Sequence, residues 1–127
     1  MNIFGIGTDI VSVDRIKNSL KNKNFVNRVF NEKEILKCKK ITNSISCYAK
    51  RFAAKEAFSK ALGTGISNGI NFNEIVILNN KSGKPYIDII GQTKKVLDKK
   101  LKKKKSKISL SLSDEKKYAV AFVTISL

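Results

Sequence analysis

The chain has 127 residues, which fits one globular domain with a real core, and we expect a single domain over residues 1–127. Its formal net charge is +16, from 26 Lys and Arg residues against 10 Asp and Glu residues. No segment approaches the roughly 20 continuous apolar residues that span a bilayer, and the start lacks signal-peptide features, so we expect a cytoplasmic protein.

A charge of +16 ordinarily indicates a polyanionic partner such as nucleic acid, an anionic membrane, an acidic protein or a phosphorylated ligand. Here 23 of the 26 cations are lysines, and AT-rich coding sequence produces such a composition regardless of function. The three arginines, Arg15, Arg28 and Arg51, are more informative because guanidinium groups bind phosphate and carboxylate in a planar, bidentate manner.

The first half of the chain predicts one strand followed by helices. Residues 2–13 combine β-branched residues with two glycines, which favours a strand that approaches another backbone closely. Residues 14–23 predict a short basic helix, and residues 31–40 predict another. A long helix should begin near Ser44 to Ser46, whose hydroxyls can cap it, and end at Gly63, which opens a glycine-containing loop.

The second half predicts two hairpins separated by a basic helix. A strand at residues 73–78 leads through the turn NNKSGKP to a second strand that begins at Pro85. Residues 92–105 predict a helix in a region with nine lysines between Lys94 and Lys107, a pattern typical of a solvated face. The alternating segments 107–113 and 118–126 close the chain. We therefore predict an α+β domain with a mostly antiparallel sheet packed against the long helix.

Two cysteines, Cys38 and Cys47, are not predicted to bind a metal ion. Their spacing is not that of a metal site, and the chain contains no histidine that could complete one. We expect them to be reduced thiols, packed in the core or at the surface.

The long helix carries the residues most suited to chemistry. In RFAAKEAFSKALGTGI, residues 51–66, Glu56 is the only carboxylate, and Lys60 lies one turn further along the same face. A carboxylate among cations and small apolar residues can hold a metal ion next to phosphates. The alternative for Glu56 and Lys60 is a surface ion pair worth about 0.3–0.5 kcal/mol. Asp9, at the first strand, could likewise be only an Asx-turn residue.

Four motifs resemble those of bacterial holo-[acyl-carrier-protein] synthases, the small 4′-phosphopantetheinyl transferases. They are GIGTDI at 5–10, the helix motif at 51–66, GKP at 83–85 and SLSDEKKYAVAF at 111–122, and together they cover nearly the whole chain. The resemblance implies the 4′-phosphopantetheinyl transferase fold and transfer of the 4′-phosphopantetheine arm from coenzyme A to a serine of apo acyl carrier protein, with release of adenosine 3′,5′-bisphosphate. It also implies Mg²⁺ dependence, a role in fatty acid and lipid biosynthesis, and a homotrimer with active sites shared between subunits.

The resemblance also implies roles for individual residues. Asp9 and Glu56 would bind Mg²⁺, which commonly takes one or two carboxylates plus substrate phosphate. Lys60 would neutralise the pyrophosphate and help the proton leave the attacking serine, so that Glu56 and Lys60 are the expected catalytic residues. The expected coenzyme A contacts are Arg51, Lys60, Gly83, Lys84, Pro85, Ser111 and Ser113. Taken alone, GKP marks only a turn, and the two serines only the solvent side of a strand.

The same resemblance predicts how the carrier protein docks. Acyl carrier proteins are strongly acidic, and a basic surface around the first helix would attract them and raise the association rate. By resemblance Arg15 belongs to this docking helix, with Lys21 and Arg28 as nearby supports. The alternative is that these three side chains are simply solvated charges.

Asp114 departs from the family pattern, which usually has histidine at this position of the SxSH motif. Three explanations are open: Asp114 replaces the histidine as a base or metal ligand, it is a turn residue, or the protein is a weakened enzyme. We favour the turn residue, with proton transfer left to Lys60 or a metal-bound water. An ordinary aspartate is a poorer base at neutral pH than histidine, although it is always ionised.

Two other functions remain open on the sequence. A basic nucleic-acid-binding module would explain the lysines of residues 92–107, but it gives Asp9 and Glu56 no purpose and lacks an aromatic-rich strand for stacking bases. A protein of the same fold could also bind coenzyme A without transferring the arm, which the missing histidine allows. We expect neither a nucleic-acid nor a membrane partner.

Overall fold

The computed structural model describes residues 2–65 and 69–127. In chain order its elements are β1 (Ile3–Ser12), α1 (Val13–Ser19), α2 (Lys23–Val29), α3 (Glu32–Lys39), α4 (Ser44–Leu62), a 3-10 turn (Phe72–Glu74), β2 (Ile75–Asn79), β3 (Pro85–Ile89), α5 (Gly91–Lys100), β4 (Lys107–Asp114) and β5 (Tyr118–Ser126). The strands form a three-stranded antiparallel sheet in the order β1-β5-β4 and a separate antiparallel hairpin, β2-β3. The predicted α+β class with antiparallel pairing is confirmed. No helix in the described ranges has the length and apolarity to cross a membrane.

The three-stranded sheet packs one face against α4. Alternation along β5 directs Ala119, Ala121 and Val123 toward the helix, and all three are fully buried. In β1, a Cβ atom at Gly5 or Gly7 would overlap a backbone carbonyl oxygen of α4. The predicted close approach of the first strand to another backbone is therefore confirmed, and the glycines allow the helix to lie directly on β1.

Helix α4 is buried on nearly every side. Of its residues after Lys50, only Phe52, Glu56 and Lys60 reach solvent, and they form one stripe at i, i+4, i+8. Gly63 ends the helix as predicted, in the left-handed conformation at φ 83°. The N-cap is different from the prediction: the Asn43 side chain, rather than a serine hydroxyl, accepts the hydrogen bond from the Ser46 amide.

Other boundaries also differ from the prediction. The short basic helix predicted over residues 14–23 ends at Ser19, and a further helix, α2, follows from Lys23 under the cap of Asn22. The lysine-rich helix ends at Lys100 instead of near 105, because Lys102 and Lys103 adopt positive φ values of 54° and 60°. The last residue of the long-helix motif, Ile66, lies outside the described residues.

A buried ion pair joins α3, α4, the 3-10 turn and β2. The ammonium of Lys55 donates to Glu34 Oε1 at 2.7 Å, to the Phe72 carbonyl at 2.7 Å and to the Ile75 carbonyl. Both side chains are fully buried, and Glu34 also accepts a hydrogen bond from the Ile77 amide. Burial lowers the pKa of Lys55 to about 8, even though the Glu34 carboxylate acts in the opposite direction.

The prediction of two reduced thiols is wrong in this structure, where Cys38 and Cys47 form a disulfide. The bond joins α3 to the first turn of α4, across a Cα–Cα separation of 5.5 Å. Both residues are buried. The sequence separation of nine could not reveal the pair. Whether two cysteines at that separation meet depends on how the chain turns between α3 and α4.

Helix α5 receives its N-terminal cap from a distant residue. The carboxylate of Glu74, in the 3-10 turn, accepts hydrogen bonds from the Gln92 and Thr93 amides and from the Thr93 hydroxyl. Burial tends to raise the pKa of Glu74, but these hydrogen bonds and one from Asn71 outweigh burial and lower it. Glu74 is therefore an ionised cap that fastens α5 to the rest of the domain.

Candidate functional site

The carboxylate cleft lies between the end of β1 and the solvent-reaching stripe of α4. Asp9 is two residues beyond Gly7 in β1, so it shares the strand face that is directed at the helix. Glu56 lies at the centre of the stripe. Together with Arg15 and Phe52, both carboxylates line one cavity of about 290 Å³. The fold therefore brings together two residues that are far apart in the sequence and that were predicted to act as a pair.

Three charged groups interact in the carboxylate cleft. The Lys60 ammonium donates to Asp9 Oδ1 at 3.2 Å and to the Thr8 carbonyl at 2.9 Å. Burial and the nearby charge of Asp9 raise the pKa of Glu56, and Lys60 partly opposes this shift. The pKa of Glu56 therefore depends on the charges of both Asp9 and Lys60. The cleft combines two acidic side chains with one basic side chain.

A divalent cation fits the donor set of this cleft. The charge of Asp9 helps to raise the pKa of Glu56, so a cation between the two carboxylates would relieve their repulsion, and hard ions such as Mg²⁺ prefer oxygen donors. Within residues 2–65 and 69–127, no group of three or more His, Cys, Asp or Glu side chains could hold a metal ion. Asp9 and Glu56 would therefore supply two ligands, and water or substrate phosphate the others, as Mg²⁺ commonly requires.

An aromatic groove adjoins the carboxylate cleft. This cavity of about 520 Å³ is lined by Phe25, Phe52 and Phe72, and it shares Glu56 with the cleft. Arg28 of α2 also lines the groove, whereas Arg15 of α1 lines the cleft. Two of the predicted docking residues therefore lie on either side of Glu56. The third, Lys21, is exposed just beyond α1.

Arg51 lies in a second cavity of about 290 Å³, here called the arginine cleft. The side chain is 4% exposed, donating through Nη1 to the Cys47 carbonyl at 3.3 Å and through Nη2 to Asn79 Oδ1 at 3.0 Å. Asn79 in turn donates to the Gly83 carbonyl, which connects Arg51 with the GKP turn. Burial lowers the pKa of Arg51, and Glu34 opposes that shift. Considering only atoms of the described residues, Arg51 Nε has no hydrogen-bond partner.

Asp114 also lines the arginine cleft rather than the carboxylate cleft. Its carboxylate accepts a hydrogen bond from the Ser46 hydroxyl and lies 3.5 Å from the Lys50 ammonium. Both partners belong to the first two turns of α4, so the carboxylate fastens the end of β4 to that helix. This arrangement supports a positioning role for Asp114 and keeps it apart from Asp9 and Glu56 within one chain.

A single chain does not assemble all of the predicted coenzyme contacts. Lys60 lies in the carboxylate cleft, and Arg51 lies in the arginine cleft. Glu56 lies five positions after Arg51, which is about 140° around a helix and about 7.5 Å along it. The other predicted contacts lie mostly in solvent. In the GKP turn, Gly83 and Lys84 are exposed and Pro85 is half-buried. In β4, Ser111 and Ser113 are exposed.

Sequence reasoning missed several residues that shape these cavities. Phe25 and Phe72 line the aromatic groove, but neither lies in a motif that could have linked it to Glu56. Asn79 had only a turn signal, although it connects Arg51 to the GKP turn. Lys55 precedes Glu56 in the helix motif, and no local signal indicated that its side chain points into the core toward Glu34.

Comparison with known proteins shows extensive similarity. The sequence model of the 4′-phosphopantetheinyl transferase superfamily matches residues 5–123. A holo-[acyl-carrier-protein] synthase of Pelagibacter ubique is 54% identical over 125 residues, covering 98% of each chain. The crystal structure of the Neisseria meningitidis holo-[acyl-carrier-protein] synthase superposes with a TM-score of 0.88 at 39% identity, covering 98% of this chain and 99% of that one. The Bacillus anthracis holo-(acyl-carrier-protein) synthase was solved in complex with CoA (3′,5′-ADP). It superposes with a TM-score of 0.81 at 34% identity, covering 99% of this chain and 98% of that one.

Proposed function

The chain belongs to the 4′-phosphopantetheinyl transferase superfamily, among the holo-[acyl-carrier-protein] synthases, and we propose that it transfers the 4′-phosphopantetheine arm of coenzyme A to a serine of apo acyl carrier protein. The products are holo acyl carrier protein and adenosine 3′,5′-bisphosphate, and the reaction depends on Mg²⁺. The observation that carries this proposal is the convergence of Asp9, Glu56 and Lys60 in the carboxylate cleft.

The chemistry of the carboxylate cleft suits displacement at a pyrophosphate. Mg²⁺ bound by Asp9 and Glu56 would neutralise the negative charge on the pyrophosphate oxygens. Lys60 supplies a fixed positive charge beside Asp9, which would neutralise phosphate oxygens and help the proton leave the attacking serine by stabilising the alkoxide that forms. Positioning and charge neutralisation supply most of the catalysis expected for phosphoryl chemistry.

The coenzyme would be bound by both clefts, with one cleft contributed by each of two copies of the chain. Arg51, linked to the GKP turn through Asn79, is suited to a phosphate of the nucleotide end. Because Arg51 and Glu56 lie on different sides of α4, a neighbouring copy is the simplest source of the missing half. We propose a homotrimer with shared active sites.

An exposed apolar surface supports this assembly. The face of the three-stranded sheet opposite α4 carries large apolar side chains that reach solvent, including Ile6 at 60%, Ile10 at 63% and Phe122 at 44% exposure. Monomeric proteins rarely leave such a continuous surface uncovered. Light scattering on the purified protein should give three times the mass of the chain, and a monomeric mass would contradict the shared site.

The acidic carrier protein would dock beside Glu56. Arg15 and Arg28 flank the shared wall of the carboxylate cleft and the aromatic groove, and Lys21 extends the positive surface. Long-range attraction between opposite charges accelerates association and is screened by salt. The second-order rate constant for carrier modification should therefore fall as ionic strength rises, and a salt-independent rate would exclude docking on this surface.

A mass measurement tests the central proposal. The protein is incubated with coenzyme A, Mg²⁺ and apo acyl carrier protein, and the carrier should gain the mass of one phosphopantetheine group. Binding of coenzyme A without that gain in mass would favour the alternative function, a coenzyme A-binding protein of the same fold. The aspartate at position 114, where the family usually has histidine, is the reason for considering this alternative. Location in the cytoplasm and a role in fatty acid and lipid biosynthesis stay predictions.

A further inference from the structure

Cys38 and Cys47 lie directly beside the arginine cleft. Cys47 belongs to the first turn of α4 and lines the cleft, whereas Cys38 is fully buried in α3. The Arg51 guanidinium donates through Nη1 to Cys47 Sγ at 3.2 Å and to the Cys47 carbonyl. The sulfur that can be oxidised or reduced is thus in direct contact with the cation assigned to phosphate binding.

We propose that Cys38 and Cys47 are a reversible thiol–disulfide site whose redox state sets the affinity of the arginine cleft for the nucleotide phosphates of the coenzyme. This inference rests on the proposed function, because that function supplies the phosphate ligand of Arg51. It would also reconcile the disulfide of the structure with the expectation of reduced cysteines.

The Cys47 sulfur that contacts Arg51 differs in bonding and charge between the two redox states. A disulfide sulfur is uncharged and accepts hydrogen bonds only weakly. A reduced Cys47 can ionise, because thiolates are favoured at helix N-termini and beside cations, and Cys47 has both surroundings. The thiolate would accept a charge-assisted hydrogen bond from Nη1 and compete with phosphate for the same guanidinium. The oxidised form should therefore bind the coenzyme more tightly.

Oxidation requires a partner, and a low-molecular-weight disulfide such as oxidised glutathione is sufficient. The Cys47 thiolate attacks one glutathione sulfur, which forms a mixed disulfide and releases one glutathione thiolate. The Cys38 thiolate then attacks Cys47 Sγ, forms the intramolecular bond and releases the second. Two protein thiols become one disulfide, one glutathione disulfide becomes two thiols, and the two protons pass to the released glutathione.

The test uses the whole protein in two prepared forms. One sample is treated with oxidised glutathione and the other with dithiothreitol, and alkylation followed by mass spectrometry counts the free thiols. Calorimetry then measures the dissociation constant of adenosine 3′,5′-bisphosphate for each form. We expect reduction to weaken binding by about threefold to tenfold, which corresponds to the net contribution of about one ordinary hydrogen bond, because the guanidinium is shared with the thiolate rather than lost. The KM for coenzyme A should rise by a similar factor while kcat stays constant.

The matched control is the double variant Cys38→Ser/Cys47→Ser. It should bind the nucleotide with the same affinity after either treatment. Equal affinity of the two wild-type forms, or failure of oxidised glutathione to remove the free thiols, would overturn the inference. If the nucleotide affinity changes with redox state but no carrier protein is modified, the redox site stands and the proposed transferase function fails.

Discussion

Replacing Lys55 with methionine tests whether the buried ion pair organises the domain. Methionine keeps the length of the side chain but removes the ammonium, which donates to Glu34 and to the Phe72 and Ile75 carbonyls. Glu34, fully buried, would be left with an uncompensated charge. Breaking a buried pair in this way costs about 3–5 kcal/mol, a large part of the 5–15 kcal/mol that stabilises a typical domain.

The assay is urea denaturation followed by circular dichroism. The midpoint of Lys55→Met should fall while the slope stays unchanged, which identifies a loss of native-state stability. Lys99→Met is the matched control, because Lys99 is exposed on α5 and its loss should change stability by at most about 0.5 kcal/mol.

A double variant separates the charge from the packing. Glu34→Gln removes the carboxylate charge, and its amide oxygen can still accept the hydrogen bond of the Ile77 amide. The combined variant Glu34→Gln/Lys55→Met should therefore be destabilised by less than the sum of the two single variants, with a coupling of at least about 1 kcal/mol. A loss below about 1 kcal/mol for Lys55→Met alone would show that water or a rearranged side chain satisfies Glu34, and the reasoning would be refuted.

Three further predictions concern the site and its supports. Gly7→Ala should lower stability by about 1–3 kcal/mol and reduce turnover, because the new methyl overlaps the Ala57 carbonyl and pushes β1 from α4; unchanged denaturation midpoints would exclude this contact. Glu56→Gln should abolish most carrier modification measured by mass, whereas Asp114→Asn should reduce it modestly; equal losses would assign Asp114 a direct chemical role. Glu74→Gln should be less stable than the wild type at neutral pH, and the difference should shrink as pH falls through the pKa of Glu74, because the folded-state pKa is lowered and the stabilisation exists only while the carboxylate is ionised. A difference that persists in acid would contradict the ionised cap.

Local sequence signals predicted much of this fold because they describe short-range geometry. Gly63 ends α4 because its backbone can adopt the left-handed conformation, and Pro85 begins β3 as expected. The glycines of β1 correctly indicated close backbone approach. The cap of α4 was misplaced because Asn43 and the following serines are equivalent in sequence, and only the tertiary structure decides which side chain reaches the free amides.

The parts that sequence could not provide depend on long-range packing. Sequence alone does not show that α4 is buried on the side that carries Lys55, so this lysine has the pattern of a surface charge. Its partner Glu34 lies 21 residues away and belongs to a different helix. The pairing of Cys38 with Cys47 depends in the same way on how α3 turns into α4. Family motifs identified Asp9 and Glu56 together, but they could not show that Arg51 opens into a different cavity.

The glycine contact between β1 and α4 leaves no hinge between the two proposed metal ligands, Asp9 and Glu56. Asp9 and Glu56 are carried by two backbones that touch without intervening side chains, so no flexible loop lies between them to absorb a distortion. A substitution that moves β1 away from α4 should therefore move Asp9 away from Glu56 by a similar distance. Loss of activity on heating should consequently track the melting of the domain itself, and variants selected for greater rigidity need not sacrifice turnover.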